Sequence, residues 1–98
     1  MIVRVVELKF EEEHLHLALE KLENIAPKVR SMEGCNFLEI SSGLKDKATI
    51  LTYSHWTGTE ALNAYRNSET FITFWRDIKK HFSDPARAWS LDPHVRIP

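Results

Sequence analysis

Tyr65 and Arg66 stand side by side in a stretch of helical pattern, and a phenol hydroxyl next to a guanidinium is suited to holding an oxyanion. Trp56, at the end of a β-rich run, offers a flat surface on which an aromatic ring could stack, and it equally suits a core or hinge position. His55 alternates to the other side of that run, so one of the two faces any cleft and the other faces away. Its imidazole is a candidate general base, with a hydrogen-bonded structural role as the alternative. Tyr53 shares the side of His55 and is a candidate wall of a cleft or an interface. Asn36 has an amide that could donate to a substrate carbonyl or satisfy local backbone. Trp75 repeats with Phe71, Ile78 and Phe82 at helical spacing, the pattern of a core residue. Such side chains can bind a flat, electron-rich molecule and steady an anion derived from it.

Other chemistries find less support. His14 and His16 are two apart on a helix and diverge, so they make no chelating pair, and no Cys or His spacing suggests a metal site. Cys35 has no basic neighbour in sequence to favour a thiolate and reads as a small buried hydrophobe. No nucleotide or other cofactor motif is present, so the expected cofactor is none. The formal net charge is −1, with Lys and Arg scattered, which leaves no footprint for nucleic acid or an anionic membrane. The amino terminus is broken by Arg4 and Glu7 and holds no signal core or span. With a single cysteine, a cytoplasmic location is expected.

The elements that would position these side chains can be read from period and punctuation. Residues Ile2 to Phe10 form a strand apolar on both sides for much of its length. Glu11, Glu12 and Glu13 suit a helix amino end, and Leu15, Ala18, Leu22, Ile25 and Val29 keep the three- and four-residue spacing of a buried stripe. Pro27 should kink or end that helix, and Gly34 stops it. Cys35 to Ser42 and Ala48 to Trp56 read as a hairpin around a polar turn at 43–47. Thr57 to Glu60 matches a capping box, Ser68 a second N-cap, and Asp84-Pro85 closes the second helical region. Ala86 to Leu91 is a last short strand, followed by a tail without a pattern.

The order strand, helix, strand, strand, helix, strand makes one α+β domain over residues 1–98, a ferredoxin-like βαββαβ unit with a four-stranded antiparallel sheet and helices on one face. The other face carries Val3, Val5, Leu51 and Tyr53, an apolar patch that a second copy of the chain would bury, so a homodimer is expected.

Several stretches together resemble the antibiotic biosynthesis monooxygenase family of the dimeric α+β barrel superfamily. They are Gly34-Cys35, Trp56, Glu60-Ala61-Leu62, Arg66, Ser68, Phe71, Trp75 and Ala88-Trp89-Ser90. The resemblance implies a cleft between helices and sheet, with Trp56 among its lining residues. It also implies a small aromatic molecule as ligand and cofactor-independent oxygenation of a quinol or polycyclic phenol. Where many relatives carry a histidine the chain has Tyr65, so an acid-base role of that histidine does not carry over. Haem-degrading relatives bind iron through a histidine where Trp75 stands, and tryptophan does not ligate haem iron. The alternative from another class is a non-catalytic dimeric binder of a small aromatic or hydrophobic ligand.

Overall fold

Side-chain alternation in the first strand sorts the whole molecule. The computed structural model describes residues 1–98. In β1 (Ile2–Lys9), the even-numbered Ile2, Val6 and Leu8 point to one side, and Val3 and Val5 to the other. A 3₁₀ turn at Glu12–His14 leads into α1 (Leu15–Arg30), whose Ala18, Leu22 and Val29 are buried. The hairpin of β2 (Cys35–Ser42) and β3 (Thr49–Trp56) follows. Then come α2 (Thr59–Arg66), α3 (Glu69–Ile78) with a 3₁₀ turn at Lys79–His81, and β4 (Arg87–Leu91).

The sheet order is β2-β3-β1-β4 and every pairing is antiparallel. All helices lie on one face. Between them and the sheet, Leu8, Phe10, Ala18, Leu22, Ile50 and Ile78 form one buried cluster. Val29, Cys35, Trp56 and Leu62 form a second beneath the first turns of α2. Burial of each large aliphatic side chain here contributes about 1.5–3 kcal/mol.

The opposite face has no cover in the monomer. Phe37, Leu51, Trp89 and Leu91 are 38%, 40%, 42% and 47% exposed there. Phe37, Tyr53 and His55 gather on it, with the His55 ring centroid 4.9 Å from Phe37 and 5.1 Å from Tyr53.

Two local expectations are corrected, and one irregularity is new. Pro27 does not end α1, which runs on to Arg30 with the Ser31 amide donating to the Pro27 carbonyl at 3.1 Å. Pro27 and Glu23 are both exposed, so the carbonyl released by the missing N–H meets water. The capping box does not form either: α2 begins at Thr59 with Gly58 as its N-cap and no side-chain cap. The Thr57 amide is already committed to the Gly34 carbonyl at 2.9 Å, a tertiary contact that overrides the local signal. Finally, β2 carries a bulge: Cys35 pairs with Trp56 and Phe37 with His55, leaving Asn36 as the extra residue. Ser68 does cap α3, its Oγ accepting from the Phe71 amide at 3.1 Å.

Gly34 needs its lack of a side chain. Its φ is +86°, and a Cβ there would sit 2.4 Å from the Ala61 Cβ and 2.9 Å from the Thr57 Oγ1. This close approach fixes the end of the α1–β2 turn against the start of α2. No helix is long and apolar enough to cross a membrane.

Candidate functional site

The even-numbered side of β1, the first helix and the α2–α3 pair enclose a cavity of about 320 Å³. Fifteen of its 19 lining residues are hydrophobic, among them Phe71, Phe74 and Trp75 of α3. The four others are Arg4, Thr52, Ser54 and Arg66, so its only charges are two guanidiniums. No carboxylate or imidazole lines it.

Arg4 reaches this position because strand register puts it on the core side of β1, between Ser54 of β3 and Ser90 of β4. Those small neighbours leave room for a long side chain lying over the sheet. Its Nη1 donates to the Ser90 Oγ at 2.9 Å. Burial pushes the Arg4 pKa down, the nearby Arg66 guanidinium pushes it further, and Tyr65 acts in the opposite direction. Arg66, exposed on the last turn of α2, brings the second positive charge to the same end of the cavity.

Tyr65 is held between two rings. It stacks on Trp56 with centroids 4.8 Å apart and planes at 19°, and meets Phe71 edge-on at 5.1 Å. Phe71 stacks in turn on Trp75 at 5.6 Å, so aromatic rings build one continuous wall. Burial pushes the Tyr65 phenol up to about 12, reinforced by Cys35 and opposed by Arg4. A phenol so placed keeps its proton at neutral pH and acts as a hydrogen-bond donor, not as a base.

The side chains singled out from sequence therefore divide. Tyr65, Arg66 and Trp75 line the cavity together. Trp56 does not. It is 0% exposed beneath Tyr65, and its Nε1 donates to the Ser54 Oγ at 2.9 Å, so it backs the wall without meeting the cavity. His55 and Tyr53 project from the opposite face of the sheet, which removes His55 as a base for chemistry in the cavity and Tyr53 as its wall. Desolvation lowers the His55 pKa, followed in effect by Arg96, and its Nε2 is buried without a partner. Asn36 sits exposed as the extra residue of the bulge on the edge strand and lies outside the cavity.

Arg4 is the member that sequence reasoning missed. Its signal was a charge at an even-numbered position of a strand whose other even positions are core residues. Elsewhere, a more open groove of about 570 Å³ between α1 and α3 is lined by Lys21, Lys28, Arg76, Asp77 and Lys80. Lys21 and Asp77 pair there at 2.7 Å in a solvated, polar setting. His14 and His81 meet edge-on at 5.0 Å, and no group of three His, Cys, Asp or Glu side chains converges anywhere.

Comparisons with known proteins bear on the family and the fold. The sequence model for antibiotic biosynthesis monooxygenase matches residues 1–77. Among solved structures, an antibiotic biosynthesis monooxygenase superposes with a TM-score of 0.92 at 17% identity, over 97% of this chain and 100% of that one. A Mycobacterium tuberculosis protein gives 0.91 at 11% identity, over 99% and 98% of the two chains. A Deinococcus radiodurans protein gives 0.87 at 20% identity, over 100% and 99%. At these identities the likeness speaks for the fold alone. No curated protein sequence matches the chain.

Proposed function

The chain belongs to the antibiotic biosynthesis monooxygenase family, and from that premise we propose that it is a cofactor-independent monooxygenase of a small quinol or phenol. One observation carries the reading: an otherwise apolar cavity gathers two guanidiniums and a protonated phenol at one end, with no acidic group among them. That is a site for a flat ring whose oxygen becomes an anion. At about 320 Å³ the cavity lies at the small end of ligand sites, which favours a one- or two-ring quinol over a larger polycyclic phenol.

The residues suggest a division of labour. Phe71 and Trp75 contact the ring faces. Arg4 and Arg66 lower the pKa of the substrate hydroxyl, and Tyr65 donates a hydrogen bond to the resulting oxyanion. With no carboxylate or imidazole at hand, the released proton goes to water. The electron-rich anion then reacts with dioxygen at a ring carbon bearing hydrogen. One oxygen atom enters that carbon, the other leaves as water, and the substrate supplies all four electrons as quinol becomes hydroxyquinone.

The reading includes a homodimer in which a second copy covers the open sheet face. Its support is the row of large apolar side chains there, Phe37, Leu51, Trp89 and Leu91.

Oxygen uptake with reduced menadiol, against protein-free and heat-treated controls, tests the activity. The expected result is excess uptake with a hydroxyquinone as product. No excess across several one- and two-ring quinols would overturn it.

A further inference from the structure

The charges at the cavity call for more than a phenolate. Arg4 and Arg66 are its only charged lining residues, and neither has a carboxylate beside it there. The sole hydrogen-bond partner of the Arg4 side chain is the neutral Ser90 hydroxyl at 2.9 Å. Acidic groups nearby in the fold are engaged elsewhere: Glu7 holds Arg87 at 2.9 Å across the open face, and Asp77 holds Lys21 in the outer groove. Two like charges that share one end of a largely apolar space repel each other and await a counter-charge. Burial and Arg66 together depress the Arg4 pKa, the mark of a cation without compensation.

A phenolate would bring one negative charge, and only after ionisation. A carboxylate is already ionised at neutral pH and offers two oxygens to a guanidinium fork. Carboxylate and phenolate together match two arginines charge for charge. The apolar remainder of the lining still calls for an aromatic body.

We propose that the cavity takes an aromatic acid, a one- or two-ring phenol with a carboxylate next to its hydroxyl, the carboxylate held between Arg4 and Arg66 and the hydroxyl turned to Tyr65. The inference rests on reading this cavity as the substrate site and narrows the substrate class.

Equilibrium binding by calorimetry, without turnover, tests it with 1-hydroxy-2-naphthoate and 1-naphthol, which differ by the carboxylate alone. The naphthoate should bind tighter by on the order of tenfold or more, and added salt should shrink the margin. Arg4→Gln and Arg66→Gln should each reduce the margin, weakening naphthoate binding more than naphthol binding. Should Arg4→Gln fail to fold, Arg66→Gln on the exposed end of α2 still decides the matter. Equal affinities, tighter naphthol binding, absence of binding by both, or a margin untouched by Arg66→Gln would overturn the proposal. A naphthoate preference without quinol-dependent oxygen uptake would leave it standing and remove the oxygenase reading. Quinol turnover without the preference would do the reverse.

Discussion

Raising the pH puts the wall of the cavity to a quantitative test through Tyr65. Its phenol is pushed up to about 12 by burial against Trp56 and Phe71, whereas a tyrosine in the unfolded chain titrates near 10. Between those values the unfolded chain gives up the proton and the folded one keeps it, so stability must fall as pH rises. It is fully present below about pH 10 and lost by the time pH passes about 12. Two units correspond to about 2.7 kcal/mol in full, and roughly 1.4 kcal/mol of that has gone by pH 11. Tyr65→Phe keeps the ring stack and removes the titrating hydroxyl, so the variant should lack this slope. Denaturant unfolding from pH 8 to 11, comparing the two proteins, measures the difference directly. A stability difference that stays flat over that window would refute the burial argument. So would a phenolate absorbance with a midpoint at or below 10 that disappears in Tyr65→Phe. Either result would reopen a role for Tyr65 as a base, because its hydroxyl would then be solvated.

Three further outcomes follow from packing. Trp56→Ala should cost about 3–5 kcal/mol in thermal or chemical unfolding, since it empties a fully buried site and orphans the Ser54 hydroxyl. Near-wild-type stability with weakened ligand binding would instead make Trp56 a wall of the cavity. Gly34→Ala should destabilise by roughly 2 kcal/mol or more, because the left-handed backbone and the contact with Ala61 both resist a methyl group, and an unchanged midpoint would contradict this. Val5→Glu, at the centre of the open face beside Tyr53 and Trp89, should shift a dimeric mass to a monomeric one in light scattering. A monomeric wild-type mass at micromolar concentration would remove the dimer.

The architecture was legible because two-residue and three-to-four-residue periods leave little freedom in how Val6, Leu8, Leu22 and Ile50 can meet. Tyr65 and Arg66 were legible as neighbours with complementary chemistry. Arg4 was not, because a charge in an apolar strand reads as an interruption until the register shows that it shares a face with Ile2 and Val6. Trp56 stayed open between cleft and core for a different reason: residue type says that a ring is large and flat, not which layer of a stack it occupies. Here Tyr65 lies between it and the cavity. The bulge at Asn36 carries no glycine or proline to announce it, and the helix start after Thr57 depends on a bond to Gly34, a residue distant in sequence.

That bulge bears on how the chain can change over generations. Cys35 and Phe37 are two apart, yet Cys35 packs under α2 and Phe37 lies on the outer face, because Asn36 is counted out of the alternation. Replacing Asn36 alters only an exposed side chain, so the position can drift. Deleting it makes Cys35 and Phe37 direct neighbours opposite Trp56 and His55, so strict alternation already keeps Cys35 under α2 and Phe37 on the outer face, and the rest of β2 holds its sides. The same codon is thus open both to substitution and to loss, and relatives with this sheet should vary in the residue there and in whether the extra residue is present at all.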